Sequence, residues 1–198
     1  MSRLLETVKI YKRKSWNIEF HNARMNRSRR ELLNLENEID LNNFIKFPAE
    51  LSDNLFKCRV LYSDNIHDVE FHPYTITPVN KLYAVYDDGI NYDHKYENRS
   101  AIQKLLCKAG DGEILIVKNG YITDSSYANV VFSYSNYFIT PSTPLLKGTK
   151  RELLLKSGKI REEVIRLVDI SQFEYCYLIN AMIDLEDEVR ISIKNIVV

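Results

Sequence analysis

Apolar and polar residues alternate from Leu4 to Tyr11, the period of a half-buried strand. A charged turn at Lys12–Lys14 follows, and Trp16–Phe20 reads as a second short strand. From His21 the period changes. Met25, Ser28, Leu32, Leu35 and Ile39 fall at helical spacing, with arginines and glutamates on the other faces. Lys57–Ser63 and Val69–Tyr74 read as strands around an Asp-Asn turn, and Lys81–Tyr86 as another before Asp87-Asp88-Gly89. A helix is predicted from about Asn98, turning Ile102, Leu105, Leu106 and Ala109 inward and ending at Gly110.

The second half is richer in strands. Glu113–Lys118 runs into Asn119-Gly120, a strong short hairpin signal. Tyr121–Thr123, Asn129–Tyr134 and Tyr137–Thr140 continue the meander. Thr149 is the expected N-cap of a helix that Gly158 ends. Ile160–Ile165 reads as an edge strand, Ile170–Glu174 as a short helix or turn, Cys176–Asn180 as a buried strand and Val189–Val198 as the last strand. Mostly antiparallel strands with a few helices make an α+β chain in two lobes, expected at 1–80 and 81–198.

Composition narrows the function classes. The 198 residues carry 27 Lys+Arg and 27 Asp+Glu, so no overall field favours nucleic acid or an anionic membrane. The local run Arg24-Met-Asn-Arg27-Ser-Arg29-Arg30 is followed at once by acids and reads as a solvated helix face. The three cysteines are widely spaced in apolar contexts, so buried free thiols are expected. The four histidines show no metal-ligand spacing, so no metal is expected. No stretch reaches the roughly 18 apolar residues of a membrane span, and the N-terminus lacks an apolar signal core. A cytoplasmic protein is expected.

Four segments place polar residues where elements begin or end: His21-Asn-Ala-Arg24-Met25, Lys95-Tyr-Glu-Asn98-Arg99, Thr123-Asp124 through Asn129, and Leu146-Lys147-Gly148-Thr149. Taken singly, each has a bland reading. A lone lysine in a polar loop is by default solvated, and a Gly-Thr before a helix is by default a cap. Order and spacing make a different case. Together the segments resemble the class IV aminotransferases, the fold-type IV pyridoxal-phosphate enzymes, closest to the 4-amino-4-deoxychorismate lyase branch. The resemblance begins at Glu6-Thr7 and runs to Leu178-Ile-Asn180-Ala181-Met182. The family's first strand and its Asp-Arg-Gly…Gly-Asp-Gly loop have no counterpart, so a shortened N-terminus is expected.

That resemblance implies a two-lobed fold-type IV architecture and pyridoxal 5'-phosphate as cofactor. It makes Lys95 the catalytic Schiff-base lysine and gives Arg24 the cofactor phosphate, shared with the backbone around Gly148 and Thr149. Asp124, with Asn129, would face the pyridine nitrogen, and Asn180 and Ala181 would line the phosphate and substrate side. Asp124 stands where the family has glutamate, one methylene longer. A homodimer holding the cofactor between its lobes is implied, acting on a small-molecule amino substrate. Lys9, Lys81 and Arg99 are candidates for substrate carboxylates, and Tyr92 and Tyr96 flank Lys95. The expected reaction converts aminodeoxychorismate to 4-aminobenzoate and pyruvate. The alternatives are an amino-acid transaminase on the same scaffold, and a non-catalytic descendant that binds a ligand or serves as a scaffold.

Overall fold

A computed structural model describes residues 3–110 and 112–198. Contacts divide them into two units. The first takes residues up to Ile76 together with His94–Asn98, and the second Thr77–Asp93 and Arg99–Val198. The expected lobes at 1–80 and 81–198 remain a proposal; by its contacts Lys95 groups with the first unit.

In the first unit, strand β1 (Leu4–Tyr11) turns through Lys12 and Arg13, at φ 50° and 53°, into the two-residue β2 (Lys14–Ser15). Helix α1 (Ile18–Leu33) follows, then strands β3 (Phe56–Tyr62) and β4 (Ile66–Pro73). The sheet is antiparallel in the order β2-β1-β3-β4. The alternation read in β1 sends Leu4, Val8 and Ile10 into a core with Met25 of α1, Leu41, Cys58 and Val60. Glu6 lies on that same inward face and is wholly buried.

Several expectations are corrected here. Ile18–Phe20 opens α1 instead of completing a strand at Trp16–Phe20, because Asn17 adopts the left-handed conformation at φ 57° and breaks the extended run. Asn34, at φ 55°, ends the helix by donating its N–H to the carbonyls of Arg29 and Arg30, so Leu35 and Ile39 lie beyond it. The basic run is not a solvated face. Arg24 and Arg29 are both buried, and Arg29 donates to the carbonyls of Asn37 and Asp64. An arginine that caps buried loop carbonyls can occupy an apolar helix face, which charge counting along the chain does not reveal.

The second unit opens with β5 (Leu82–Tyr86) and helix α2 (Ser100–Leu106), which leads to β6 (Glu113–Lys118), parallel to β5. Asn119 and Gly120, at φ 52° and 80°, form the predicted hairpin turn into β7 (Tyr121–Ser125). Strands β8 (Asn129–Tyr134) and β9 (Tyr137–Pro141) continue antiparallel. Helix α3 (Thr149–Lys156), β10 (Arg161–Glu163), β11 (Tyr175–Ile179), β12 (Arg190–Ser192) and β13 (Ile196–Val197) complete the unit. The sheet runs β10-β9-β8-β7-β6-β5-β13, with β11 pairing to β8 and β12. Its central residues, including Ile114–Val117 and Val130–Phe132, are fully buried, hence their continuous apolar runs.

Three further expectations change. Gly148, not Thr149, caps α3. Val189–Val198 is not one strand: β12 pairs with β11 and β13 with β5, and a 3-10 turn at Ile193–Asn195 lets the chain serve both partners. Cys58 and Cys176 are buried free thiols, but Cys107, at the start of the 3-10 turn after α2, is exposed. Among the described residues, no helix is long and apolar enough to cross a membrane.

Candidate functional site

In the first unit, the alternation of β1 carries a carboxylate into an apolar core, where it must be paired. Helix α1 supplies the partners one turn apart. Arg24 donates from Nε to Glu6 Oε1 at 2.8 Å and from Nη2 to Oε2 at 2.5 Å. His21 Nδ1 lies 2.6 Å from the same Oε2. Burial alone would raise the Glu6 pKa, but the Arg24 charge and the hydrogen bonds from His21 and Arg24 outweigh it and pull the carboxyl down to about 2. Burial lowers the His21 pKa; Glu6 opposes that shift, while the charges of Arg24 and Lys95 add to it. The imidazole is therefore neutral, and an ionised Glu6 requires the proton on Nδ1.

Lys95 reaches this neighbourhood through backbone pairing. Leu5 N–H donates to the Lys95 carbonyl at 2.9 Å, and Glu97 N–H to the Arg3 carbonyl at 3.0 Å, so 95–97 lies along β1 as a short added edge. His94 is buried beside it. Its Nδ1 is 3.0 Å from Ser28 Oγ on α1, and its Nε2 is 3.5 Å from Glu31. Arg59 holds Glu97 at 3.1 Å and Glu70 at 3.0 Å. The half-buried Lys95 thus has its backbone held by β1 and its flank held by α1. Tyr96 packs against the core of this unit.

In the second unit, Asp124 of β7 and Asn129 of β8 are directly paired across the bend that joins their strands. Asp124 Oδ1 accepts from Asn129 Nδ2 at 2.7 Å, and Oδ2 accepts the Leu146 N–H at 2.9 Å. Asn129 Nδ2 also donates to the Leu146 carbonyl at 2.8 Å. The pair therefore grips the loop before α3 by both backbone groups of one residue. Burial raises the Asp124 pKa to about 6, while the Leu146 N–H, the Asn129 amide, the Arg151 charge and the Leu145 N–H restrain the rise. A Cβ on Gly148 would collide with Asn129 Oδ1. Gly148 has an ordinary helix-cap φ of −72°, so its need for glycine is one of space.

Beyond Gly148, Thr149, Lys150 and Arg151 are all buried at the N-terminus of α3. Lys150 is ion-paired with Asp184, and Arg151 donates to the Pro141 carbonyl at 2.8 Å and to Glu162 at 2.5 Å. Asn180 closes its own turn: Oδ1 accepts the N–H groups of Met182 at 2.8 Å and Ile183 at 3.1 Å, and Nδ2 donates to Tyr127 in the β7–β8 bend at 3.4 Å. Ala181 lies within that turn, half-buried.

Of the eight predicted residues, Arg24 and Lys95 belong to the first unit and the other six to the second. Asp124, Asn129 and Gly148 are in one contact cluster. Arg99, a candidate for a substrate carboxylate, donates to the Ser126 carbonyl, and Glu113 binds the N–H and Oγ of Ser126 at 3.0 and 2.9 Å. Both therefore shape the bend after Asp124. Lys81 lies over the Tyr83 ring at 4.7 Å. Sequence reasoning missed Glu113, and it gave no role to Glu6 or His21. Glu6 did carry a signal: an acid at an inward position of an alternating strand.

Each unit separately offers groups suited to part of a phosphorylated pyridine. The first holds a buried arginine; the second holds a buried helix N-terminus capped by a residue without a side chain, and a buried carboxyl that a neighbouring cation would keep ionised. The profile of a family described as "Amino-transferase class IV" matches residues 90–185. An uncharacterised protein of Haemophilus influenzae is 37% identical over 185 residues, covering 92% of this chain and 98% of that one. A crystal structure from Haemophilus somnus, provisionally named a 4-amino-4-deoxychorismate lyase, superposes with a TM-score of 0.86 at 30% identity, over 93% of this chain and 98% of that one. A hypothetical aminotransferase from Mycobacterium tuberculosis in its PLP-bound form gives a TM-score of 0.72 at 18% identity, over 91% and 78%, a likeness of fold.

Proposed function

Because the chain belongs to the amino-transferase class IV family, whose members are pyridoxal 5'-phosphate enzymes, we propose that it is a lyase converting 4-amino-4-deoxychorismate to 4-aminobenzoate and pyruvate, a step of folate biosynthesis. The observation that carries the choice of reaction is the near full-length likeness to the Haemophilus somnus protein, together with the Lys95-x-x-Asn98-Arg99 spacing of the lyase branch.

When bound, the cofactor supplies an electron sink for carbanionic charge next to the substrate amine. The chain's own residues would do the rest. Lys95 Nζ would hold the cofactor covalently in the resting protein. Lys95 would then take the ring proton beside that amine and deliver a proton to the methylene carbon of the departing enolpyruvyl group. The substrate divides into its two products with no water consumed. Arg24 and the N–H groups at Gly148 and Thr149 would bind the phosphate, and an ionised Asp124, steadied by Asn129, would hold the proton on the ring nitrogen. Asn180 and Ala181 would shape the wall of the phosphate and substrate side.

Incubation with 4-amino-4-deoxychorismate, and separately with an amino acid and 2-oxoglutarate, tests the reading. Release of 4-aminobenzoate and pyruvate is expected. Amino transfer without aminobenzoate overturns it in favour of a transaminase, in which Lys95 would take the proton from the substrate Cα. A protein that takes up no cofactor is a non-catalytic relative. A cytoplasmic homodimer belongs to the same proposal, and light scattering at two subunit masses is the expected result.

A further inference from the structure

The pairing of Glu6 with Arg24 and His21 has no counterpart in the needs of the sheet. Leu4, Val8 and Ile10 occupy the equivalent inward positions of β1, and a fourth apolar side chain would suit the same core. A carboxylate there is tolerated only because three donors converge on it: Arg24 Nε at 2.8 Å, Arg24 Nη2 at 2.5 Å and His21 Nδ1 at 2.6 Å. All three residues are buried.

The geometry of the pairing has two consequences. Glu6 takes the side of the guanidinium bearing Nε and one Nη2 hydrogen, which leaves Nη1 on the far side from that carboxylate and fixes the plane of the fork. Glu6 also holds the His21 proton on Nδ1, so Nε2 is the acceptor nitrogen of a neutral ring whose titration Lys95 influences. One carboxylate therefore sets the direction of a cation and the tautomer of a neutral base, and both belong to the unit that carries Lys95.

We propose that Glu6 is a positioning residue, whose ionised carboxylate fixes the Arg24 fork for the cofactor phosphate and holds His21 as the Nδ1–H tautomer beside Lys95. The proposal rests on the reading of Arg24 as the phosphate ligand. It adds that the preference for a phosphorylated cofactor comes from a guanidinium oriented before binding. Glutamine at this position keeps the shape but has one acceptor for three donors, and its NH2 would face donors unless His21 moved its own proton to Nε2.

The test uses the full chain, freed of cofactor, in wild-type, Glu6→Gln and Arg24→Ala forms. Equilibrium dialysis against pyridoxal 5'-phosphate and against pyridoxal measures the phosphate preference as a ratio of dissociation constants. Proton–nitrogen correlation spectra, with His21 assigned through His21→Gln, report the tautomer. Wild type is expected to prefer the phosphorylated form, Arg24→Ala to lose that preference, and Glu6→Gln to lower it by about tenfold or more. The His21 proton is expected on Nδ1 in wild type and on Nε2 in Glu6→Gln. A folded Glu6→Gln that keeps both the wild-type preference and the Nδ1 proton overturns the proposal. If Arg24→Ala binds like wild type, or wild type takes up neither ligand, the cofactor reading is what fails, and an unmoved His21 proton in Glu6→Gln then sinks the role of Glu6 as well. Should Glu6→Gln not fold, Glu6→Asp, with its charge kept and its reach shortened, is expected to lower the preference several-fold, and an unchanged ratio overturns the proposal.

Discussion

Gly148 lies so close to the Asn129 side chain that a methyl group on it would overlap the amide oxygen. The contact joins β8 to the cap of α3, and it leaves the Asn129 amide aimed at Asp124 and the Leu146 carbonyl. Replacing Gly148 with alanine should force Asn129 out of both hydrogen bonds. Overpacking of this kind costs about 1–3 kcal/mol. Urea unfolding is expected to show the loss for Gly148→Ala, with part of it recovered in the Gly148→Ala, Asn129→Ala double variant. Full additivity of the two substitutions would mean that the contact is not what demands glycine.

The buried carboxyls of Glu6 and Asp124 should give opposite pH signatures. Glu6 is held at about 2, below its ordinary value of 4.5, so its contribution is complete above pH 4.5 and disappears as pH falls through about 2. Its size is on the order of 3 kcal/mol, at about 1.4 kcal/mol per unit. The stability gap between wild type and Glu6→Gln should therefore narrow steadily as the solution is acidified below pH 4.5. Chemical denaturation at several pH values measures it.

Asp124 is raised from 3.8 to about 6, so the folded state binds the proton more tightly than the unfolded chain. Wild type should lose stability relative to Asp124→Asn as pH rises from about 4 to 6, and the difference should level off above that. A gap that stays flat over this window would show that Asp124 is already ionised when folded. Cofactor binding is expected to reverse part of the loss, since a protonated ring nitrogen favours the ionised form.

Lys95→Ala should fold, because the hydrogen bonds that hold its segment to β1 are made by backbone atoms. Borohydride reduction of the cofactor-loaded wild type should fix the cofactor to the peptide carrying Lys95, as read by mass spectrometry, and Lys95→Ala should retain none. Cofactor fixed to another lysine would remove Lys95 from its proposed role.

Thiol chemistry checks the packing independently. Cys107 is exposed, whereas burial pushes the Cys58 thiol up to about 12 and the Cys176 thiol upward as well. A disulfide reagent should modify one thiol per native chain and all three after denaturation. Rapid reaction of a second thiol would show that β3 or β11 opens readily.

Much of this protein could be read from the order of its residues. Period-two alternation located β1, the Asn119-Gly120 pair located the central hairpin, and the spacing of His21, Arg24, Lys95, Asn98, Arg99, Asp124 and Asn129 pointed to the family. These features are legible because each depends on neighbours close along the chain: strand period, a turn's positive φ, or a short motif. Trp16–Phe20 was misread because five residues hold too little period to separate strand from helix, and a left-handed Asn17 decided the matter.

Only the tertiary structure decided which charges lie inside. Arg24 and Arg29 looked solvated in a basic run, yet Glu6, fifteen residues or more from its partners, and the loop carbonyls of Asn37 and Asp64 hold them in the interior. Asp124 likewise looked like a carboxylate waiting for a cofactor, whereas folding also gives it the Leu146 N–H to hold. The physical reason is the same in each case. A buried charge is stable only beside its counter-charge or donors, and those come from strands and loops far away in sequence.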